Sequence, residues 1–209
     1  MTRRHLLLLG PILMLASGGV LIGRHGYLAA KGVLAGCLID RALADHLRDG
    51  GIHPPWSWAD MHPIAVVEVG RLGVRRIVLR GASGESLAFG VGHVDGTALP
   101  NTPGHCVLAG HRDGVFSFLE DLRPGDILSV RTFDDVRDYV VDGIRIVPRT
   151  DTDLLDPTPE DRLTLVTCYP FGGLSRSPWR YVVTACRPDR VLRARRRFRD
   201  RPVRPPPAR

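Results

Sequence analysis

A chain of 209 residues is long enough for one well-packed domain with additional segments, and its 44% apolar residues can supply a core. Its four cysteines form no paired metal-ligand spacing and are too few for a disulfide framework. The net charge of +7 comes from the C-terminal segment rather than from a basic domain surface, because residues 187–209 alone carry ten arginines against two aspartates.

A run of seventeen uncharged residues, LLLLGPILMLASGGVLI at 6–22, follows Arg3 and Arg4 near the N-terminus. A helix of this length spans roughly 25 Å, slightly less than the hydrocarbon core of a typical bilayer. We therefore predict an uncleaved signal anchor over residues 1–23, with the rest of the chain outside the cytoplasm. Cleavage as a signal peptide near LASG at 15–18 and burial as a core helix stay open as alternatives.

Residues 24–60 are predicted to form a juxtamembrane helix followed by an irregular strap. Apolar residues recur every three or four positions over roughly 27–48, which indicates an amphipathic helix that ends at Gly50-Gly51. The segment HPPWSWADMHP at 53–63 is too rich in proline for a regular element. LAGC at 34–37 matches a lipoprotein box that would lipidate Cys37, but charged residues separate it from the apolar run.

Short β-prone runs dominate residues 61–187, and glycine, proline and aspartate clusters separate them. One helical stretch, FSFLEDL at 116–122, interrupts them. Many short strands with little helix indicate a mainly β domain, a small closed or partly closed β-barrel. The predicted strands cover residues 64–69, 74–80, 105–110, 126–132, 137–147, 163–168 and 180–186.

Three residues with useful chemistry lie where predicted strands end or begin. Cys168 ends one strand, His111 follows the end of another, and Arg180 begins the strand after Cys168. A thiol reacts as the thiolate, which a nearby imidazolium or guanidinium favours. A cysteine with a distant histidine is typical of thiol acyl-transfer enzymes but is weakly specific. A buried structural role for Cys168, or a disulfide with Cys186, therefore stays open.

The other histidines and cysteines do not indicate a cofactor. His93 and His105 have no further ligand at a suitable spacing from His111, so we predict neither a metal site nor any other cofactor. Cys106 lies inside a predicted strand and is interpreted as a small core residue, and Cys186 is interpreted in the same way.

Several motifs occur in a characteristic order. HVDGTALPNTPGHCVLAGHRD at 93–113 precedes TLVTC at 164–168, and Arg180 follows twelve residues later. Together they resemble the sortase family. The N-terminal apolar run, PPWSWAD at 54–60 and TCYPF are similar more narrowly to the sortases of Gram-negative bacteria. The resemblance covers about residues 1–186.

The resemblance implies an eight-stranded β-barrel and a membrane-bound cysteine transpeptidase. Cys168 would attack a backbone carbonyl in an LPxTG-like sorting motif of a secreted protein and form a thioester. His111 would protonate the departing amine and then deprotonate the incoming amine. Arg180 would hold the substrate carbonyl and stabilise the oxyanion. The resemblance also implies a single-pass location in the bacterial inner membrane, with the catalytic domain in the periplasm.

Three further residues have roles that the resemblance leaves open. Arg176 is a rival for the oxyanion role of Arg180, because the loop after the cysteine varies in length within the family. Thr167 either contributes to the oxyanion site or is an ordinary β-branched strand residue. Asp113 either orients His111 or caps a helix that begins near Val115.

Two other functions are considered for the chain. A transpeptidase of the L,D type, which crosslinks peptidoglycan, is also β-rich and uses cysteine and histidine, but its SHGC-like motif does not occur here. A non-catalytic anchored β-barrel is the second alternative. The arginine- and proline-rich tail at 188–209 is predicted to be disordered. We predict no nucleic-acid partner outside the cytoplasm, and the sequence does not identify the amine acceptor.

Overall fold

The computed structural model describes residues 3–158, 160–173 and 177–189. Arg176 and most of the predicted tail therefore lie outside the described residues.

The N-terminal region is one helix, α1, over Arg3–Asp49. The apolar segment at 6–22 and the amphipathic segment predicted over roughly 27–48 are thus parts of one continuous helix, because the isolated Gly23 and Gly26 each cost only about 1 kcal/mol relative to alanine and do not end a helix. The predicted end at Gly50 is confirmed: its φ is 70°, and its N–H donates to the His46 carbonyl over 2.8 Å.

The last turns of α1 pack on the rest of the molecule. Ala35, Ile39, Ala42 and Leu43 are buried, and their spacing places them on one face of the helix. Ile39 contacts a small apolar cluster together with Met61 and Leu79, and the strap supplies Trp56 and Ala59 to the same cluster. The strap predicted at 53–63 therefore lies along the barrel.

In the part of the chain that the structure describes, no helix is both long and apolar enough to cross a membrane. The anchor expected over residues 1–23 stays a prediction.

The rest of the described chain is a closed eight-stranded barrel with the order β1-β2-β3-β4-β7-β8-β6-β5. Two of the neighbouring pairs, β2–β3 and β4–β7, are parallel, and the others are antiparallel. The predicted barrel is thereby confirmed. The strands are β1 Pro63–Val69, β2 Val74–Leu79, β3 Val91–His93, β4 His105–Ala109, β5 Ile127–Arg131, β6 Val136–Pro148, β7 Arg162–Tyr169 and β8 Trp179–Cys186.

Among the strands and α-helices of the barrel domain, strand β3 and helix α2 were not predicted. Strand β3 has only three residues, and one of them is glycine, so it carries no alternating pattern. Helix α2, Gly84–Phe89, lies in a segment predicted as a turn, and the Ser83 hydroxyl caps it by accepting from the Ser86 N–H.

Three short 3₁₀ helices complete the described elements: Gly70–Leu72, Ser117–Asp121 and Asp153–Leu155. The second one replaces the longer helix predicted over 116–122.

All eight strands contribute side chains to one apolar core inside the barrel. On the strands that matter for the site, alternate residues point inward: Cys106 and Leu108 on β4, Leu163 and Leu165 on β7, and Val183 and Ala185 on β8. The intervening residues face the outside of the barrel. This alternation fixes the face of each strand on which a site residue lies.

Candidate active site

Strands β4 and β7 end side by side, and their pairing determines which residues meet beyond the ends. Ala109 is paired with Val166, and the Gly110 N–H donates to the Val166 carbonyl over 3.2 Å. The Thr167 hydroxyl then donates to the Gly110 carbonyl over 2.7 Å. Strand β4 ends at Ala109, and the same parallel register, continued for two residues beyond that end, predicts His111 next to Cys168.

Strand β8 lies on the other side of β7 and brings in the arginine. Cys168 and Arg180 are directly opposite each other in the antiparallel pair. Directly opposite residues have Cβ atoms about 5 Å apart and point to the same face of the sheet. Cys168 therefore has Arg180 as its neighbour on β8, and the position predicted for His111 is on its other side, beyond the end of β4.

The side chains of Cys168 and Arg180 lie on the outer face of the barrel. Leu163 and Leu165 point into the core, so Cys168, which is out of phase with them, points outward. Its side chain is half-buried, Arg180 is also half-buried, and His111 is exposed. A peptide from solvent can reach this face without entering the barrel.

Two backbone carbonyls that precede Arg180 in the chain hold one side of its guanidinium. Its Nη1 donates to the carbonyls of Ser177, over 3.1 Å, and Trp179, over 3.0 Å. Within the described residues, Nε and Nη2 make no hydrogen bond of their own. A guanidinium has five N–H donors, so this arrangement keeps donors available for a substrate oxygen.

Thr167 is buried and in phase with the core residues of β7. Its hydroxyl, which donates to Gly110, is on the opposite side of the sheet from the Cys168 sulfur. This hydrogen bond joins β7 to the end of β4, because Thr167 directly precedes Cys168 and Gly110 directly precedes His111.

The backbone at His111 is fixed by the core. The His111 carbonyl accepts from the N–H groups of Gly114, over 3.3 Å, and Phe116, over 3.1 Å. Phe116 is fully buried, and a Cβ at Gly110 would come within 2.8 Å of its ring. Glycine at 110 thus lets the Phe116 ring pack directly under the residue that precedes the histidine.

Asp113 does not cap a helix as predicted. The 3₁₀ helix begins at Ser117, and its N-cap residue, Phe116, makes no capping bond. The Asp113 carboxylate instead accepts from Nε of its neighbour Arg112 over 3.3 Å.

Arg112 connects the two loops that leave the site. It is buried, and its Nη2 donates to the Gly173 carbonyl in the loop between β7 and β8. Sequence reasoning missed this residue, because its partner lies 61 positions away on a loop without a distinctive motif. Its position directly after the histidine in AGHRD was the available signal.

His93 and His105, which were considered as metal ligands together with His111, have other environments. His93 is paired with the inward-facing Leu108, and burial lowers the pKa of its imidazole. His105 lies on the outer face and binds protein atoms with both ring nitrogens. No group of three or more metal-ligating side chains occurs among the residues that the structure describes.

The four cysteines have different environments. Cys37 is exposed on α1, while Cys106 and Cys186 are buried, and burial raises the pKa of Cys106 to about 12. Cys106 is a core residue as predicted. A Cys168–Cys186 disulfide is excluded: Cys186 is opposite Arg162, six residues along β7 from Cys168. That separation is roughly 20 Å, and a disulfide needs Cα atoms within about 7 Å.

Comparison with known proteins agrees with this fold and with the order of the motifs. The family model for the sortase domain matches residues 67–187, a range that includes His111, Cys168 and Arg180. Sortase D of Bacillus subtilis is 31% identical over 119 residues, which are 56% of this chain and 60% of that protein. The matched region therefore spans less than two thirds of that relative.

Two solved structures have a similar fold. Sortase A from Corynebacterium diphtheriae is 31% identical, with a TM-score of 0.56 over 62% of each chain. A Clostridium perfringens sortase D5 transpeptidase has a TM-score of 0.62 over 74% of this chain and 98% of its own. At 24% identity, that second likeness concerns the fold alone. The narrower resemblance to sortases of Gram-negative bacteria stays a prediction.

Proposed function

Since the sortase-domain model matches more than half of it, this chain belongs to the sortase family, and we propose that it is a cysteine transpeptidase. It cleaves an LPxTG-like motif in a secreted protein and transfers the acyl fragment to an amine. The observation that carries this proposal is the strand register, which pairs Cys168 directly with Arg180 on the outer face of the barrel. His111, two residues beyond the end of β4, is proposed as the neighbour of Cys168 on its other side.

The first half-reaction forms a thioester. With its proton on the His111 imidazole, Cys168 attacks a backbone carbonyl carbon of the motif, and the new C–S bond leaves negative charge on the carbonyl oxygen. Donors on the Arg180 guanidinium stabilise that oxyanion. The C–N bond then breaks, and His111 gives its proton to the departing amine.

The second half-reaction resolves the thioester. Neutral His111 accepts a proton from the incoming amine as its nitrogen attacks the thioester carbonyl. Arg180 again stabilises the oxyanion, and the C–S bond breaks to release a new amide and the Cys168 thiolate. The imidazolium and thiolate are thereby restored, so the cycle needs no cofactor. The chemical identity of the amine is not part of the proposal.

Arg180 is assigned the oxyanion role ahead of Arg176. The support for this choice is the direct pairing of Arg180 with Cys168 and the backbone contacts that hold Nη1. A planar guanidinium held from one side presents its other donors in a fixed direction, which suits a single carbonyl oxygen.

We also propose that residues 1–23 anchor the protein in the inner membrane, with the barrel in the periplasm. Support comes from the uncharged run at 6–22 and from the side chains at its C-terminal end. The apolar side chains of Val20, Leu21 and Ile22 are exposed on α1. A secreted protein that carries a sorting signal would meet the enzyme on that side of the membrane.

Cleavage of a fluorogenic peptide that contains Leu-Pro-Glu-Thr-Gly tests the proposed activity. Replacing Cys168→Ala in the full chain should reduce the cleavage rate at least about 10³-fold, because the nucleophile is removed. The matched control is Cys37→Ala, which removes an exposed thiol on α1 and should leave the rate unchanged. Undiminished cleavage by a folded Cys168→Ala variant would contradict the mechanism.

A further inference from the structure

The connection between β3 and β4 contains a segment, LPNTPG at 99–104, that has almost the order of an LPxTG-like motif. Leucine, proline, one free position and threonine follow each other as in the motif. The departure is a proline, Pro103, which stands between the threonine and the glycine. None of the residues assigned to the active site belongs to this segment, so the catalytic site does not explain its likeness to the proposed substrate.

The segment lies far from the active site of its own chain. Strand β4 begins at His105, directly after the segment, and His105 is paired with Arg162. Arg162 lies six residues before Cys168 on β7, which corresponds to roughly 20 Å along the strand. A cysteine that could attack this segment in the folded protein therefore belongs to a second copy of the chain.

The segment forms a turn whose two ends are held together. The Ala98 N–H donates to the His105 carbonyl over 2.9 Å, so the residues on either side of the segment are in contact. Inside the turn, the Thr102 N–H and hydroxyl donate to the Leu99 carbonyl over 3.1 and 2.8 Å. Six extended residues would span roughly 20 Å, so the structure keeps this motif far from the extended form.

Asn101, at the free position of the motif, fixes the turn. Its φ is 60°, whereas an extended backbone has negative φ values. Proline followed by a residue with positive φ is the preference of a type II turn, which Pro100 and Asn101 satisfy. The Asn101 side chain is 7% exposed, and Nδ2 donates to the carbonyls of Val130, over 2.9 Å, and Asp135, over 3.4 Å. Extension of the motif would break both hydrogen bonds.

Burial does not protect the bond that would be cleaved, because Thr102 and Pro103 are both exposed. The proline protects it chemically. Its ring is attached to the nitrogen of the Thr102–Pro103 bond, where the motif has the N–H of a glycine, and it restricts the conformation of Thr102. A sulfur that approaches the Thr102 carbonyl carbon therefore meets a more crowded amide than in the motif.

We propose that residues 99–104 are an internal copy of the sorting motif, and that the turn and Pro103 together prevent its cleavage by a second copy of the chain. This rests on the proposed transpeptidase function. The prevented reaction is attack of Cys168 on the Thr102 carbonyl carbon, with the C–N bond to residue 103 breaking and the new amine taking a proton from His111. In the folded chain its rate follows the population in which the turn is open.

Peptides test whether the internal motif is recognised. The natural peptide of residues 97–104, Thr-Ala-Leu-Pro-Asn-Thr-Pro-Gly, is compared with the same peptide carrying glycine at position 103, the glycine peptide. The wild-type protein should cleave the glycine peptide after its second threonine, within about tenfold of the rate for Leu-Pro-Glu-Thr-Gly. The natural peptide should be cleaved at least about 100-fold more slowly than the glycine peptide.

The role of the turn is tested in full chains, with the wild-type protein as enzyme, the Cys168→Ala chain as substrate and hydroxylamine as acceptor. With Pro103→Gly added, the substrate should be cleaved after Thr102 at least about 100-fold more slowly than the glycine peptide, because the turn is closed most of the time. Further addition of Asn101→Ala should speed cleavage at least about tenfold, because the hydrogen bonds of the amide are lost. Mass spectrometry of fragment 1–102, as its C-terminal hydroxamate, measures both rates.

Asp126→Asn, used in place of Asn101→Ala, is the matched control. It removes the contact with Arg71, which lies outside the turn, and should change the cleavage rate less than about twofold.

The outcomes separate this proposal from the proposed function. Cleavage of Leu-Pro-Glu-Thr-Gly without cleavage of the glycine peptide would overturn the internal motif alone. Equal cleavage of the two 97–104 peptides would overturn the role of Pro103, and equal rates with Asn101→Ala and Asp126→Asn would overturn the role of the turn. If the wild type does not cleave Leu-Pro-Glu-Thr-Gly at all, the transpeptidase function itself fails, and this proposal fails with it.

Discussion

At the scale of single residues, the proposed chemistry needs three different groups within reach of one carbonyl. The sulfur supplies the nucleophile, the imidazole moves a proton, and the guanidinium meets the developing negative charge. Strand register, rather than proximity in the sequence, pairs Cys168 with Arg180, and the parallel register of β4 and β7 is the basis for proposing His111 as the third group. The contact between Thr167 and Gly110 keeps that register at the last residue before the site.

Replacing Arg180→Lys should lower kcat by about 10²–10³-fold, because an ammonium lacks the planar fork that holds Nη1 on the backbone while other donors face the substrate. The measurement is steady-state cleavage of the Leu-Pro-Glu-Thr-Gly peptide. Arg131→Lys, at an exposed position on β5, is the matched control and should behave as the wild type. A larger loss in Arg176→Ala than in Arg180→Lys would transfer the oxyanion role to Arg176.

His111, Cys168 and Arg180 could be proposed from the sequence because each lies in a local motif at a strand end. The contacts that position them could not. The direction of the Thr167 hydroxyl depends on which residues of β7 point inward, and the partner of Arg112 is a backbone carbonyl on a distant loop. Both depend on how separate segments pair, and no local pattern records that pairing.

At the scale of elements, the barrel depends on links between its connecting segments as well as on its strands. Arg71, in the 3₁₀ helix after β1, donates from Nε and Nη2 to both oxygens of Asp126, at 2.6 and 2.7 Å. The Asp126 carboxylate also accepts from the Arg123 N–H over 2.8 Å. The hydrogen bonds from Arg71, together with this backbone contact, hold the pKa of Asp126 below its usual value.

Asp126→Asn should lower the free energy of unfolding by about 1 kcal/mol at pH 7, because the charged, bidentate contact with Arg71 is lost. The pKa of Asp126 is lower in the folded state than in the unfolded state, where it is about 3.9. Its contribution is therefore complete above about pH 4 and disappears as the pH falls through the folded-state pKa.

Urea unfolding of both proteins between pH 3 and pH 7 measures this difference. Asp138→Asn provides a comparison, since Asp138 accepts from the Ser129 hydroxyl rather than from an arginine. A difference between wild type and Asp126→Asn that stays constant down to pH 3 would contradict the assigned cause.

The elements themselves were predictable to different degrees. Seven strands were predicted to within two residues at each end, because each has a β-prone run between turn residues. Strand β3 could not be predicted from its three residues, because it is a strand only through its pairing with β2 and β4 in the closed barrel. The single helix α1 was predicted as two, because a change in composition at residue 24 was interpreted as a structural boundary.

At the scale of the whole molecule, the C-terminal turns of α1 pack on the barrel domain, whereas described apolar side chains earlier in the helix, such as Val20 and Val33, are exposed. Leu43 is 2% exposed, and Leu34, nine residues earlier on the same helix, is 60% exposed. The described part of the domain is thus the barrel together with the end of α1 and the strap.

Leu43→Ala should lower the free energy of unfolding of the domain by about 2–4 kcal/mol, because it removes a fully buried side chain. Leu34→Ala, the same change at an exposed position of the same helix, should alter it by less than about 0.5 kcal/mol. Thermal unfolding of the wild type and of the two variants under identical conditions measures both changes in the free energy of unfolding. Equal effects of the two substitutions would contradict the docking of the end of α1.

The proposed mechanism depends on a covalent intermediate at Cys168, one of the four cysteines of the chain. Mass spectrometry after incubation of the full chain with the Leu-Pro-Glu-Thr-Gly peptide tests this most directly. We predict an adduct with the mass of the acyl fragment, located on Cys168, absent from Cys37, Cys106 and Cys186, and released by hydroxylamine as the hydroxamate. Peptide cleavage without an adduct at Cys168, or an adduct of the same mass in Cys168→Ala, would contradict the proposed mechanism.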